Sequence, residues 1–506
     1  MEQLLRRLAT LSYWLGLSFG LSLFGQAQSV SPRFGAYVEV GSFAVNGPKM
    51  PFWLRTNQAG VVPLGGSAVT LRMRIGSGYR PSLTRDSLAR PRRWDWGYGV
   101  EMVGNTGPTI RYLLPQAYGK IRCGHVELAA GRWRSIAGLV DTLLTSGSYS
   151  WSGNALPLPK VQLGTIGFVP LGFTKGFVAI QASFAHGWFN ATQKTFVQHS
   201  YLHQKSVHIR LGKPTTRVRL YAGINHLVQW GGYANQLPVG LSVNGNLPTS
   251  IAAYKYVVGA LRRPGLTNDP NLSSFDAENR IGNHLGSVDL GTDWTIGRYN
   301  LLIYRQSLIE TGSLYYLTNI ADGLNGIRLR SMRLGQGLLT LDHALVEFFY
   351  SESQGGPKFV GNDPYNRGKV DYFNHSQYRD GWLYYGHTIG TPFLSPRKDV
   401  RADLPVGRSI SNNRVSLWHL GLGGRLGSRV QWQTKVSYSR NLGSYDIPYP
   451  LNTNQLSALL TAATQFRLPG AGAFTLTTSL AVDRGTLFDN TTGLYIGLRK
   501  VLGAAL

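Results

Sequence analysis

The sequence predicts an all-β protein, a transmembrane antiparallel barrel of about 18 strands, and three observations support this prediction. Apolar and polar residues alternate with a period of two over segments of about 9–12 residues, the length of a tilted membrane strand. No apolar run after residue 27 reaches the ~20 residues that a spanning helix requires. Glycine and tyrosine are abundant, at 62 and 26 residues, whereas charged residues make up only 15% of the chain.

The first residues have the features of a signal peptide. Arg6 and Arg7 form a short basic region, and an apolar stretch follows from Leu8 to Phe24. The segment Gly25–Ala27 supplies small residues at the −3 and −1 positions of a cleavage site. We therefore predict a signal peptide over residues 1–27, export from the cytosol, and a final location in the cell outer membrane.

The period-two pattern separates two faces on each predicted strand. Between residues 177 and 188 one face is mainly apolar and the other small or polar. The first face comprises Val178, Ile180, Ala182, Phe184, His186 and Trp188, and the second comprises Ala179, Gln181, Ser183, Ala185 and Gly187. The pattern recurs over 217–225, 288–296, 430–439 and 474–483. Such faces are typical of a wall with lipid on one side and a polar lumen on the other.

The predicted connections are unequal in length. Residues 212–214 and 468–472 are short and rich in turn-forming residues, whereas 231–283, 350–403 and 441–456 are long. Short turns at one end and long loops at the other are typical of outer-membrane barrels. At roughly 25–28 residues per strand and connection, the mature length predicts ~16–18 strands. No linker divides the chain, so residues 28–506 are predicted to form one barrel domain.

The net charge of +26 arises from 51 basic and 25 acidic residues that are spread along the chain. Because they form no tail or basic block, we do not expect nucleic acid as a partner. Anionic outer-leaflet lipid and surface polysaccharide are the expected anionic partners. Several basic residues fall on predicted lumen-facing positions and are candidates for binding anions or polysaccharide, namely Arg72, Arg74, Arg122, Arg217 and Arg219. The alternative is that they pair with lumen acids such as Asp289 and Asp293.

Aromatic residues in predicted exposed loops form a second group of polysaccharide-binding candidates. They are Trp151, Tyr372, Trp382 and Tyr384. Stacking on sugar rings is one interpretation of these residues, and packing within the loops is the other.

No motif for catalysis or for binding a nucleotide or zinc is present. Asp342 and His343 are neighbours on a predicted strand, so their side chains point to opposite faces and cannot act as a pair. The single cysteine, Cys123, excludes an intramolecular disulfide framework. We predict no catalytic residue, no metal site and no cofactor, and therefore no enzyme.

Three stretches resemble the Wzi-type capsule assembly family of outer-membrane proteins, in the form found in Bacteroidetes-like bacteria. The first spans Pro51–Pro63, and the third spans Gly381–His387 with Ile389–Phe393. The second and longest runs in pieces from Gly131 to Lys160. The residues that carry the resemblance include Trp53, Arg55, Asn57, Gln58, Asp141, Ser146, Trp151, Asn154, Pro157, Pro159, Gly390 and Pro392.

The resemblance implies an 18-stranded barrel whose lumen is plugged by inward-folded loops or short helices. It also implies a non-catalytic, lectin-like role in binding, anchoring or organising capsular or other surface polysaccharide, and we expect a monomer. One alternative is an outer-membrane porin or transport channel for anionic solutes. A second alternative, from another class, is a secreted polysaccharide-degrading enzyme.

Overall fold

The computed structural model describes residues 34–79, 93–108, 110–189, 195–262, 270–333, 335, 337–360 and 368–502. The predicted signal peptide therefore lies outside the described residues. Eighteen strands in chain order form the wall of a barrel. They are β1 Gly35–Val45, β2 Ala68–Ser77, β3 Trp94–Thr106, β4 Arg111–Cys123, β5 Val126–Arg132, β6 Lys160–Thr165, β7 Val178–Trp188, β8 Tyr201–Leu211, β9 Val218–Trp230, β10 Asn283–Ile296, β11 Tyr299–Ile309, β12 Gly323–Ser331, β13 Leu339–Tyr350, β14 Val415–Leu426, β15 Val430–Asn441, β16 Asn454–Leu468, β17 Gly472–Gly485 and β18 Thr491–Leu502.

Each strand pairs antiparallel with its neighbours in sequence, and the first strand closes the wall by pairing with the last. Glu39 of β1 lies opposite Arg72 of β2 on one side and Arg499 of β18 on the other. A further segment, Val169–Pro170, continues β6, because both segments pair with β7. The described residues thus contain 18 positions around a closed wall, which confirms the predicted fold class.

The two faces of the wall follow the predicted alternation. On β2, Val69, Leu71, Met73 and Ile75 point outward, each between 41% and 48% exposed, whereas Arg72 points inward and is buried. Exposed apolar side chains on the outer face are expected where the surroundings are lipid.

Aromatic side chains on the outer face lie near both ends of the wall. Trp94 and Trp294 lie near one end, and Trp188, Trp418 and Tyr438 lie near the other, all of them exposed. Aromatic girdles of this kind mark the two membrane–water interfaces of outer-membrane barrels.

The connections alternate between the two ends because neighbouring strands are antiparallel. One end, here called the short-turn end, carries the connections 124–125, 212–217, 297–298, 427–429 and 469–471. The other, the long-loop end, carries the connections 46–67, 133–159, 231–282 and 351–414. The predicted division between short turns and long loops is confirmed, and in barrels of this type the long loops lie outside the cell.

Three of the long connections send residues to the inner side of the wall. The segments 50–63, 133–159 and 370–400 share one apolar core with inward-facing wall residues such as Leu227, Leu302 and Leu345. These three segments are called the plug below. The first contains the short helix α1 (Phe52–Arg55), all four residues of which are buried.

The connection between β9 and β10 contributes two helices, α2 (Ile251–Gly259) and α3 (Ser274–Glu278). Ala253 and Val257 of α2 pack against Val228 and Trp230, which lie on the outward face of β9. Helix α2 therefore covers part of the outer wall near the long-loop end. Within the described residues, no helix is both long enough and apolar enough to cross a membrane.

Candidate functional site

The first plug segment is fixed to the wall and to the third segment by hydrogen bonds. The backbone N–H of Phe52 donates to Oδ2 of Asp483 on β17 at 2.8 Å, and Nε1 of Trp53 donates to Oγ of Ser437 on β15 at 3.2 Å. Arg55 forms a buried ion pair with Asp399, with 2.6 Å between Nη1 and Oδ2. These contacts account for the positions of Trp53 and Arg55 without a ligand.

The second plug segment is fixed to strands β10–β13. The N–H of Ser146 donates to Oε2 of Glu347 at 2.6 Å, and the N–H of Tyr149 donates to Oε1 of Gln306 at 3.0 Å. Leu139 donates its N–H to Oδ2 of Asp289 at 2.8 Å. Buried carboxylates on the inner wall thus serve as acceptors for plug backbone, which would otherwise lose its hydrogen bonds to water.

Asp141 forms a charged contact between plug and wall. Its Oδ2 lies 2.9 Å from Nε2 of His343 on β13, and its Oδ1 accepts the N–H of Leu144 at 2.7 Å. Burial by itself would raise the pKa of Asp141, but the hydrogen bonds from His343 and Leu144 and the charge of Arg328 lower it to about 2. Asp141 is therefore ionised at neutral pH and stabilises the fold in that form.

The three plug segments also bind one another through the residues that carry the family resemblance. Oδ1 of Asn154 accepts the N–H of Asn57 at 3.0 Å, and Nδ2 of Asn154 donates to the backbone O of Thr388 at 3.1 Å. Nδ2 of Asn57 donates to the backbone O of Ser146 at 3.2 Å. One side chain from the second segment therefore joins all three segments, which lie far apart in the sequence.

Close packing and hydrogen bonds to the backbone position the glycine, the prolines and Gln58 of these stretches. A Cβ built on Gly390 would lie 1.9 Å from the backbone O of Tyr149, so no larger residue fits there. Pro392 packs against Gly147, whose φ is +132°. Pro157 is buried, and the carbonyl of Pro159 accepts the N–H of Trp188 at 3.0 Å. Gln58 is half-buried, and its carbonyl accepts the N–H of Val61 at 3.3 Å.

The prediction that the four aromatic candidates lie exposed is wrong. Tyr372 and Trp382 are fully buried, and Trp151 and Tyr384 are 4% exposed. All four belong to the apolar core of the plug, because the loops that carry them fold into the wall. The Tyr372 hydroxyl donates to Oδ2 of Asp322 at 2.7 Å, so its polar end is already satisfied within the protein.

The predicted inward arginines fall into two groups. Arg122 lies 3.6 Å from Asp95, and Nη2 of Arg219 lies 2.7 Å from Oδ1 of Asp293, so both pair with acids of the wall. Arg72 and Arg74 face inward on β2 and form no ion pair within the described residues. Arg217 was predicted to face the lumen but is exposed in the turn before β9, because that strand begins one residue later.

The groups considered for catalysis are separated and occupied. His343 contacts Asp141 of the plug, whereas Asp342 pairs with Arg425 at 3.1 Å. In the part of the chain that the structure describes, no three His, Cys, Asp or Glu side chains are grouped as a metal site requires. The wall acceptors Glu347 and Gln306 were missed by the sequence analysis. Their only signal is a polar residue on an inward position whose neighbours on the same face are apolar or aromatic, namely Tyr304 and Leu308 for Gln306 and Leu345 and Phe349 for Glu347.

Comparison with known proteins identifies the fold. No family model and no curated protein matches the chain. The structure is similar to Wzi, described as an outer membrane protein involved in group 1 capsule assembly in Escherichia coli and a carbohydrate-binding β-barrel, with a TM-score of 0.54 and 14% identity over 92% of this chain and 85% of that one.

Two further matches have lower TM-scores. OccK5 (OpdH) of Pseudomonas aeruginosa has a TM-score of 0.43 and 9% identity over 93% of this chain and 98% of that one. The outer membrane channel DcaP of Acinetobacter baumannii has a TM-score of 0.36 and 9% identity over 93% of this chain and 96% of that one. The similarity to Wzi shows the fold, and the chain is a β-barrel of the outer-membrane type.

Proposed function

We propose that this protein holds an exported polysaccharide, such as a capsule, at the cell surface, and that it does so without catalysing a reaction. The observation that carries the proposal is the plug, in which the three stretches that resemble the Wzi-type family bind one another inside the wall. The structurally similar Wzi is described as carbohydrate-binding and as involved in capsule assembly, which supports the same role here.

The proposal includes the remaining features that the sequence predicts. The chain is exported by a signal peptide over residues 1–27, and the mature residues 28–506 form one barrel in the outer membrane. The barrel is a monomer surrounded by lipid, with anionic headgroups in the outer leaflet. It needs no metal and no cofactor.

A direct test compares cells that have and lack the protein. Loss of the protein should release polysaccharide into the medium while the total amount synthesised stays the same. The measurement is the ratio of cell-bound to released polymer, and re-expression of the full chain is the control. Unchanged retention on the cells would contradict the proposal.

The rival function is a channel for anionic solutes. The inward arginines Arg72 and Arg74, which form no ion pair among the described residues, favour it. A basic lumen concentrates anions between low-dielectric walls. The two functions differ in conductance. In planar bilayers, the purified protein should give no conductance of porin size, because the plug occupies the inner side of the wall. Stable openings as large as those of a general porin, measured in parallel, would favour the channel.

A further inference from the structure

A cavity lies at the long-loop end, beside the plug. Its volume is about 520 Å³, within the range of ligand-binding pockets. Its lining contains the basic residues Lys49, Arg397, Lys398 and Arg401, and otherwise aliphatic residues, prolines and serines. Most of these residues come from the connection between β13 and β14, and Lys49 comes from the connection between β1 and β2.

The cavity is held together by contacts among three connections. Nζ of Lys49 donates to the backbone O of Val400 at 2.6 Å and lies 3.2 Å from Asp489 of the last connection. The N–H of Arg401 donates to the backbone O of Leu487 at 2.9 Å, and the N–H of Arg397 donates to that of Ser409 at 3.0 Å. The lining backbone is therefore anchored on both sides of the cavity.

The charge of the lining is one-sided, with four cations and no carboxylate side chain. Lys49 pairs with Asp489 and Arg401 pairs with Asp403, at 3.2 and 2.6 Å. Arg397 and Lys398 form no ion pair in the described part of the chain. An exposed arginine and lysine that line the same cavity and have no ion-pair partner there are free to contact an anion.

The charges around Lys398 also favour binding of an anion. Although Lys398 is exposed, partial desolvation by its neighbours lowers the pKa of its ammonium group, Asp399 raises it, and the charges of Arg55 and Arg111 lower it further. The carboxylate of Asp399 already forms an ion pair with Arg55, with 2.6 Å between Oδ2 and Nη1. A bound anion would therefore stabilise the charged form of Lys398.

The rest of the lining limits the class of ligand. The other side chains among its described lining residues are mainly aliphatic or proline, and none of them is aromatic. Stacking of a sugar ring on an aromatic face is excluded here, so recognition has to come from the acidic group of the ligand. The cavity is formed by connections at the long-loop end and not by the lipid-facing wall, which favours a soluble polymer over a lipid headgroup.

We propose that this cavity binds a carboxylate-bearing sugar unit of an acidic polysaccharide, with Arg397 and Lys398 as its anion contacts. The inference rests on the proposed function and names the chemical class of the polymer. The Arg397 guanidinium donates two parallel hydrogen bonds to the carboxylate. The Lys398 ammonium supplies a second charge, and the aliphatic side chains contact the C–H groups of the sugar.

The test uses the full-length protein in detergent and fluorescent alginate oligosaccharide as the probe, with carboxyl-reduced alginate as its neutral counterpart. Arg397→Gln combined with Lys398→Gln should weaken binding of the acidic probe at least tenfold and reduce its salt dependence. The matched control is Lys213→Gln with Arg429→Gln, which removes an exposed lysine and arginine at the short-turn end. The control should bind like the wild type, and heat-shifted migration in gels confirms folding of both variants.

The possible outcomes distinguish failure of the acidic-sugar site from failure of the proposed role in polysaccharide retention. Equal binding of acidic and reduced alginate, or equal loss in both double variants, would overturn the acidic site while leaving polysaccharide retention intact. If the purified protein binds neither probe while cells that carry it still retain their polysaccharide, the acidic site is overturned and polysaccharide retention is not. Binding of lipopolysaccharide that is lost in the double variant Arg397→Gln with Lys398→Gln, together with no binding of alginate by the wild type, would assign the cavity to lipid and overturn the proposal.

Discussion

Two long connections at the same end of the barrel place residues on opposite sides of the wall. Residues 370–400, between β13 and β14, enter the wall and place Tyr372 and Trp382 in the inner core. Residues 231–282, between β9 and β10, instead place α2 against the outer face, where the Tyr254 and Trp230 rings stack with centroids 4.9 Å apart.

The wall residues next to each connection differ in polarity according to the segment that packs on them. Beneath the plug, inward positions carry hydrogen-bond acceptors for plug backbone, such as Glu347 and Gln306. At the long-loop end of β8, β9 and β10, outward positions that elsewhere carry exposed aliphatic residues carry His203, His226 and His284, all of them buried. Nδ1 of His203 lies 3.2 Å from the Tyr254 hydroxyl.

The polarity of one face of a barrel strand therefore depends on which segment covers that face. Polar residues do not by themselves identify the face that lines the lumen. The outward histidines lie on the lipid-facing side of the alternation, yet all three are buried, and Tyr254 of α2 contacts His203. Inward apolar residues such as Leu227 and Leu345 face the lumen, yet the plug shields them. The comparison can be tested by removing contacts on each side of the wall.

The largest effect is expected from Trp382→Ala. Because the indole is fully buried in the plug, its loss should lower the free energy of unfolding by about 3–5 kcal/mol. The measurement is urea unfolding in lipid vesicles. Trp94→Ala is the matched control, since Trp94 is 59% exposed on the outer face, and it should cost much less. Normal stability with lost sugar binding would instead make Trp382 a binding residue.

A smaller effect, and a pH-dependent one, is expected at the contact of plug and wall. The pKa of Asp141 is about 2 in the fold, below the usual 3.8, so its ionised form stabilises the protein above pH 3.8. That stabilisation is lost as the pH falls toward 2. Asp141→Asn should lower stability at neutral pH by about 2–3 kcal/mol, with the difference vanishing near pH 2. A difference that stays constant with pH would contradict this account.

The smallest effect is expected on the outside of the wall. Tyr254→Ala removes the stacked ring and should weaken docking of α2 by about 0.5–1.5 kcal/mol, with the barrel itself unaffected. Limited proteolysis should then cut faster within residues 231–282, while heat-shifted migration stays normal. Tyr254→Phe isolates the hydroxyl contact to His203. Loss of the folded barrel in either variant would show that α2 supports the wall and is not merely attached to it.

Much of the wall could be predicted from the sequence because a period of two is a local property. The faces of β7, including Phe184 outward and Ser183 inward, follow directly from the order of residues. The placement of loop aromatics could not be predicted, since Trp151 and Trp382 have the same local surroundings whether their loops extend into solvent or fold inward. Only contacts between distant segments decide between the two.

The candidate-site residues could likewise be predicted from the sequence only in part, because their contacts depend on distant segments. Arg72 and Arg122 were predicted inward correctly from alternation, but their pairing depends on which strand lies beside them. The cationic cavity was not predicted, although Arg397, Lys398 and Arg401 are close together in the sequence. Its second side is supplied by Lys49, about 350 residues away, as the contact from Lys49 to Val400 spans 351 positions.

The ion pair between Arg55 and Asp399 has a consequence for folding kinetics. It joins residues 344 positions apart, and the seam between β1 and β18 joins Glu39 to Arg499 across 460. Contacts of such high sequence separation form late, because the chain entropy of a large loop has to be lost before they contribute stability. Once the seam has closed, residues 351–414 can reach the interior only through the mouth at the long-loop end. Refolding should therefore be slow and should include a step in which the wall is complete and the plug is still entering.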